Sequence, residues 1–223
     1  MKKQKLYLVP GFLTDKTIYK SFLEDDRFDV EVLEFISTLS KEETIESYAN
    51  RLSKKIDKTQ PFSILGTSFG GLLAIEISKI IEPEKIIFVS SAKNRKELNP
   101  LMKVSGSSNL LDFVSDSFVK KTITTGYSIG KKLVTPIKEI HSQDIESMVN
   151  RIDGRLEKWI MKKINNWQGK NPIENYLHLH GDKDPVFPIK NIENCITIKG
   201  GTHNMIVNKS EEIKELVLEF LGE

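Results

Sequence analysis

The stretch Gly66-Thr67-Ser68-Phe69-Gly70, followed by Gly71, is the central feature of this 223-residue sequence. It lies between an apolar run typical of a buried strand, residues 62–65, and an almost wholly apolar segment typical of a buried helix, residues 72–81. The pattern G-x-S-x-G between a strand and a helix puts the serine on a sharp turn, where flanking glycines avoid collisions and the hydroxyl projects above the sheet edge. The free N–H groups at the start of the following helix face any negative charge that develops there. The stretch therefore predicts Ser68 as a nucleophile.

Apolar runs and helical patterns alternate along most of the chain, which is typical of βαβ units and a mostly parallel sheet. Six runs predict strands at residues 6–9, 28–36, 62–65, 85–89, 176–180 and 195–198. Ser40 and Glu43 have the spacing of a capping box, which predicts that Ser40 caps a helix. Helical spacing predicts two core-facing helices, one with Ile45, Tyr48, Ala49, Leu52 and Ile56, the other with Ile213, Leu216, Val217, Phe220 and Leu221. The fold class is α/β, with about six strands flanked by helices.

The pattern changes between residues 95 and 170, where amphipathic stretches replace strands. Two stripes predict helices there, one with Ile145, Met148, Val149 and Ile152, the other with Leu156, Trp159, Ile160 and Ile164. We expect a helical lid at 95–170, inserted into one core domain formed by residues 1–94 and 171–223. The insertion has fourteen basic and eight acidic residues, a net charge of +6 against +2 for the whole chain. This charge fits either a solvated helix surface or a lid that attracts an anionic substrate or an acidic carrier.

Composition excludes several other classes of protein. Hydrophobic residues make up 39% and charged residues 29%, as in a globular domain rather than a disordered, collagen-like or coiled-coil chain. The small net charge gives no general electrostatic basis for binding nucleic acid, and no run approaches the ~20 apolar residues of a membrane span. A single cysteine, Cys195, excludes an internal disulfide and a cysteine-rich zinc site, and we expect neither a metal nor an organic cofactor. Residues 1–5 look like the basic start of a secretion signal, but the apolar run that follows them ends at Pro10-Gly11. We therefore expect a cytoplasmic protein rather than a secreted one.

A nucleophilic serine needs a base, which is itself oriented by a third group. Among four histidines, His203 lies in a turn between the last strand and the last helix, where open α/β sheets build their sites. His141 lies in the insertion, and His178 and His180 share a strand face that favours a structural role. The segment His180-Gly181-Asp182-Lys183-Asp184 supplies two candidate acids, Asp182 and Asp184. The order serine, aspartate, histidine is that of the α/β-hydrolase triad.

The chain resembles the α/β-hydrolases over nearly its whole length. It is similar to the small lidded carboxylesterases, a group that includes the pimeloyl-carrier-protein methyl esterases, through the segments GTSFGG, HGDKDPVFP and GGTHNMI. The resemblance implies that Asp184, not Asp182, is the acid, and that the backbone N–H groups of Phe12 and Phe69 form the oxyanion hole. The chain departs from many relatives in having Pro10-Gly11 where they have His-Gly. It also begins almost directly at the third strand of the family, which leaves a sheet of about six strands.

The resemblance implies a serine hydrolase that cleaves a carboxylic ester or thioester through Ser68, His203 and Asp184. The expected partner is a small-molecule acyl ester, either free or linked to a carrier. Two alternatives stay open: an acyltransferase with the same triad, and a catalytically silent hydrolase fold used for binding. Phe12, next to the oxyanion hole, and Trp159 of the insertion are the candidate substrate contacts. The other large apolar residues of the insertion, at helical spacing, fit a core as well as an acyl pocket: Phe113, Phe118 and Met161.

Overall fold

The computed structural model describes residues 3–98, 114–133 and 150–222. They form six strands, β1 (Lys5–Val9), β2 (Asp29–Val32), β3 (Phe62–Thr67), β4 (Lys85–Val89), β5 (Tyr176–Gly181) and β6 (Ile196–Ile198). In the sheet these strands lie in the order β2-β1-β3-β4-β5-β6, and every neighbouring pair is parallel. This arrangement confirms the predicted α/β class with a parallel sheet of six strands.

With β4, β3 is one of the two central strands of the sheet, and helices cover both of its faces, as its mostly apolar sequence favours. All six of its residues are buried. Leu65 pairs with Leu8 of β1 on one side and with Ile87 of β4 on the other. The carboxyl end of this central strand is where the Gly66–Gly71 stretch begins, so the predicted nucleophile lies at the middle of one sheet edge.

Helices pack on both faces of the sheet and form two apolar cores. One face carries α2 (Ile45–Ser53) and α3 (Phe69–Ser78). The other carries a 3-10 turn (Lys16–Tyr19), α1 (Lys20–Leu23), α6 (Met205–Asn208) and α7 (Ser210–Leu221). Within the predicted insertion lie α4 (Asp116–Leu133) and α5 (Gly154–Asn166). None of the helices in the described residues is long and apolar enough to cross a membrane.

The predicted start of the second helix was wrong. The helix α2 begins at Ile45, and its cap is Thr44, whose Oγ1 accepts a hydrogen bond from Ser47 N at 3.1 Å. Ser40 instead closes a turn, with its Oγ accepting from the N–H of Glu42 at 3.1 Å. The predicted second strand was also too long, since only Asp29–Val32 pair with β1.

The two ends of the predicted insertion lie next to each other. Asn94 and Lys170 form an isolated antiparallel bridge, and the N–H of Asn171 donates to the carbonyl of Lys93 at 2.8 Å. Within the insertion α4 and α5 are linked by Lys158 Nζ, which lies 2.7 Å from Asp116 Oδ1. Several predicted residues of the insertion lie outside the described residues: Phe113, His141, Ile145, Met148 and Val149. The boundaries 95–170 and the lid role stay predictions.

Candidate active site

Ser68 lies on a strained turn between β3 and α3. Its φ of 53° and ψ of −121° are rare for a residue with a side chain. The turn needs glycine on both sides: a Cβ on Gly66 would lie 2.5 Å from backbone atoms of Gly70, and one on Gly70 would lie 2.0 Å from the carbonyl oxygen of Val9. The turn leaves the Ser68 side chain at the carboxyl edge of the sheet, where loops from other strands converge.

Three predicted side chains from three separate loops form one chain of hydrogen bonds. Asp184 Oδ2 lies 2.8 Å from His203 Nδ1, and His203 Nε2 lies 3.0 Å from Ser68 Oγ. Because a carboxylate only accepts, Nδ1 carries the proton and donates to Asp184. Nε2 is then free to accept a hydrogen bond from the hydroxyl of Ser68. The distances fit the geometry of an activated serine.

Of the two candidate acids, the structure brings Asp184 and not Asp182 to His203. The Asp184 side chain is fully buried, and its other oxygen, Oδ1, accepts from the N–H groups of Val186 at 2.8 Å and Phe187 at 3.0 Å. Asp182 is exposed, and its Oδ1 accepts from the N–H of Gly200 at 2.7 Å. Gly200 has a φ of 72°, so Asp182 stabilises the left-handed turn that precedes His203.

The loop that carries Phe12 lies directly against the Ser68 turn. A Cβ on Gly11 would be 3.0 Å from the Cβ of Ser68 and 3.2 Å from the carbonyl oxygen of Thr67. Phe69 is the first residue of α3, so its N–H has no partner within the helix. Both candidate oxyanion donors therefore belong to backbone next to Ser68. The close approach to Ser68 is made by the glycine of Pro10-Gly11.

Trp159, the second candidate substrate contact, lies in the apolar core and is 2% exposed. Its Nε1–H donates to the carbonyl of Glu43 at 2.7 Å, and its ring packs on Tyr48 with 4.6 Å between centroids. Its ring centroid lies 6.3 Å from that of Phe69, the residue after Ser68. Phe118, also in the insertion, is 61% exposed. A substrate role for Trp159 stays a prediction, whereas the structure shows that its ring packs in the core.

The strand that leads to Asp184 carries two buried histidines. His180 Nε2–H donates to the carbonyl of Phe187 at 2.7 Å, and burial lowers the pKa of His180. Phe187, which the sequence analysis missed, has its ring 5.6 Å from that of His203 and gives its N–H to Asp184. The sequence Asp184-Pro185-Val186-Phe187 is the signal that could have identified it. The carboxylate of an aspartate that begins such a turn accepts hydrogen bonds from backbone N–H groups two or three residues later.

Glu157 joins the insertion to the loop that carries Phe12. This carboxyl on α5 is 6% exposed and interacts with the backbone N–H of Leu13. Burial raises its pKa to about 7, partly offset by that backbone hydrogen bond. A cavity of about 170 Å³ lies here, lined by Pro10, Leu13, Thr14, Asp15, Glu34, Phe35, Arg151, Ile152, Asp153, Leu156 and Glu157. The described residues contain no group of three or more histidine, cysteine or acidic side chains that could hold a metal ion.

No protein-family model matches this sequence, and no curated protein sequence matches it. Solved structures match nearly the whole chain. MenH from S. aureus is 19% identical with a TM-score of 0.70, over 100% of this chain and 95% of its own. A thermophilic esterase from Thermogutta terrifontis, with malate bound, is 16% identical with a TM-score of 0.69, over 99% and 90%. MGS-M2, an α/β hydrolase from a Medee basin deep-sea metagenome library, is 13% identical with a TM-score of 0.66, over 100% and 90%. The chain therefore has the α/β-hydrolase fold.

Proposed function

We propose that this protein is a serine hydrolase that cleaves a carboxylic ester or thioester of a small or medium acyl group. The observation that supports this proposal most is the continuous hydrogen-bond relay from Asp184 through His203 to Ser68, at 2.8 Å and 3.0 Å. The strained backbone of Ser68 supports it as well, because such strain is tolerated where function requires it. A neutral serine hydroxyl becomes an effective nucleophile only with a base in this position.

In the first half-reaction Ser68 Oγ attacks the carbonyl carbon of the substrate while its proton passes to His203 Nε2. The imidazolium that forms is stabilised by Asp184, whose carboxylate remains ionised and accepts from Nδ1–H. The tetrahedral intermediate then collapses. The bond to the leaving alcohol or thiol breaks, His203 returns the proton to the leaving group, and the acyl group stays on Ser68.

In the second half-reaction water gives a proton to His203 and attacks the acyl-enzyme. Collapse of the second tetrahedral intermediate releases the carboxylic acid and returns the proton to Ser68. The negative charge on each intermediate is held by the N–H groups of Phe12 and Phe69, and loss of one such donor typically costs 10²–10³ in kcat. The chemistry uses only the side chains and backbone of this chain.

The substrate class draws support from the structural neighbours. They include the esterase from Thermogutta terrifontis and N-acyl homoserine lactonase AidH, solved with N-hexanoyl homoserine. An esterase and a lactonase both attack the carbonyl of an ester. We further propose that residues 95–170 form a lid over the site, with Phe12 next to the reacting carbonyl, and that the substrate is free or attached to a carrier.

The test is labelling with a fluorophosphonate, which forms a covalent bond with an activated serine hydroxyl and releases fluoride. Wild type should be labelled and Ser68→Ala should not. Ser78→Ala is the matched control, because Ser78 is buried in α3 and bonded to the carbonyl of Ile75, with no contact to the relay. Labelling of neither wild type nor Ser68→Ala would count against the proposal and favour a binding module.

A series of p-nitrophenyl esters of graded chain length, next to acyl thioesters, would then define the acyl group. Assays with and without an added alcohol or amine separate hydrolysis from transfer. A product in which the acyl group is bound to the added acceptor in preference to water would replace the hydrolase by an acyltransferase.

A further inference from the structure

The peptide between Ser68 and Phe69 carries two groups that point in opposite directions. A peptide unit is planar and trans, so the orientation of the Ser68 carbonyl fixes that of the Phe69 N–H. The ψ angle of Ser68, −121°, is the torsion that turns this peptide. Any group that holds the Ser68 carbonyl oxygen therefore also holds the N–H that the proposed mechanism uses as an oxyanion donor.

Ser91, which follows β4, holds that oxygen. Its Oγ–H donates to the carbonyl of Ser68 at 2.7 Å, and Ser91 is fully buried. The N–H of Gly71 donates to the same oxygen at 2.9 Å. The hydroxyl packs so closely on α3 that a Cβ on Gly71 would lie 2.2 Å from Ser91 Oγ. The position of Ser91 is thus closely matched to the turn of the nucleophile.

Ser91 is held in turn by His178 on β5. His178 Nε2 lies 3.1 Å from the carbonyl oxygen of Ser91, and Lys93 Nζ lies 2.8 Å from His178 Nδ1. The ammonium of Lys93 can only donate, so His178 Nδ1 accepts that hydrogen bond. The ring proton is therefore on Nε2, which donates a hydrogen bond to the carbonyl of Ser91. Burial, together with the nearby Lys93 charge, lowers the pKa of His178 well below its usual value, which keeps the ring neutral.

The charge that fixes this tautomer is itself buried and compensated. Lys93 is 6% exposed and Glu97 is 1% exposed. Lys93 Nζ donates to Glu97 Oε1 at 2.9 Å and to the carbonyl of Glu193 at 2.5 Å. Burying two charges is costly even when they are paired, and replacing such a pair by apolar residues is often neutral or stabilising. The pair is therefore weak evidence for a stabilising role, and the last link of its network is the Ser68 carbonyl.

We propose that Ser91 is a positioning residue that aims the Phe69 N–H at the oxyanion, and that His178 and Lys93 hold Ser91 in place. The inference rests on the proposed function and adds a determinant of its rate. Chains of hydrogen bonds polarise one another, so the Ser91 bond to the Ser68 carbonyl also makes the Phe69 N–H a stronger donor.

The test compares Ser91→Ala with Ser90→Ala. The neighbouring Ser90 is also fully buried, but within the described part of the chain its Oγ has no hydrogen-bond partner. Both variants lose one buried oxygen, and only Ser91→Ala loses the bond to the Ser68 carbonyl. We measure kcat and KM on a p-nitrophenyl ester, the inhibition constant of a trifluoromethyl ketone that forms a tetrahedral adduct, and the thermal unfolding of each variant.

For Ser91→Ala we expect kcat to fall about tenfold, the loss of one hydrogen bond, with KM within about twofold of wild type. Affinity for the trifluoromethyl ketone should fall by a similar factor, because the adduct uses the same donor. Ser90→Ala should match wild type in both. Ser91→Cys keeps a weak donor, so its kcat and ketone affinity should lie between those of Ser91→Ala and wild type. If Ser91→Ala does not fold, Ser91→Cys is compared with Ser90→Ala in its place.

Equal kcat and equal ketone affinity in folded Ser91→Ala and Ser90→Ala would overturn the inference while leaving the hydrolase proposal intact. A fall in thermal stability without any change in these two quantities would assign Ser91 a purely structural role and also overturn it. Failure of the proposed function is seen separately, as a wild-type protein that neither turns over the ester nor reacts with the fluorophosphonate.

Discussion

The sheet edge that carries Ser68 and the helices of the insertion are held in different ways. At the sheet edge, short loops are fixed by hydrogen bonds between near neighbours in sequence, as where the Asp184 side chain accepts from the N–H groups of Val186 and Phe187. The described helices of the insertion are held by buried side chains that bond to distant segments of the chain, such as the indole of Trp159 and the carboxyl of Glu157. Substitutions at the edge should therefore change the rate and spare the fold. Substitutions in the insertion should change the fold and its response to pH.

The largest effect should come from the acid of the relay. Asp184→Asn presents an amide to His203 and favours the wrong tautomer, and such a change in a serine triad costs roughly 10⁴ in kcat. Asp182→Asn keeps an oxygen that can accept from Gly200 N, so its kcat should stay within a few-fold of wild type. Steady-state kinetics on one ester checks both. If Asp182→Asn is the more damaging variant, the acid has been assigned to the wrong residue.

Trp159→Ala should have the second largest effect, and it should be on stability. Removing a side chain buried in the core typically costs about 3–5 kcal/mol, and here the carbonyl of Glu43 also loses its donor. Chemical denaturation measures the loss, with Phe118→Ala as the exposed control from the insertion. If folded Trp159→Ala keeps its full stability but loses affinity for longer acyl chains, Trp159 is a substrate contact and the two regions are less distinct than described.

Local patterns were enough for the parts of the molecule that backbone geometry determines. The glycines around Ser68 and the apolar run of β3 are short-range signals, and the structure places both as predicted. The predicted cap of α2 was wrong. In a capping box the Glu43 carboxylate would bond to the backbone N–H of Ser40, but it binds Arg51 and the N–H of Leu39 instead. An amphipathic stripe likewise cannot tell whether a residue such as Trp159 faces a core or a pocket.

Glu157 should make the stability of the insertion depend on pH. Its pKa is raised from 4.5 to about 7 in the folded state, so folding favours the protonated form. Raising the pH from below 4.5 to above 7 therefore removes stability, by up to about 3 kcal/mol. Glu157→Gln cannot ionise, so it should unfold at a higher temperature than wild type at pH 8, with the difference shrinking towards pH 4.5. Glu46→Gln, an exposed residue of α2, is the control. If the difference in unfolding temperature does not change with pH, folding does not raise the pKa of Glu157.

The smallest effect is expected from the net charge of +6 in residues 95–170. If this surface attracts an acidic carrier, hydrolysis of a carrier-linked acyl ester should slow as salt rises, because the Debye length shrinks from ~10 Å at 0.1 M to ~3 Å at 1 M. A neutral p-nitrophenyl ester has no charge to attract, so its kcat/KM should stay flat and report the sheet edge alone. The ratio of the two rates separates the effect of the insertion from that of the sheet edge carrying Ser68 without any substitution. Only the carrier-linked substrate can be attracted by this charge. An equal salt response for both substrates would therefore show that the charge belongs to a solvated helix surface and does not attract the carrier.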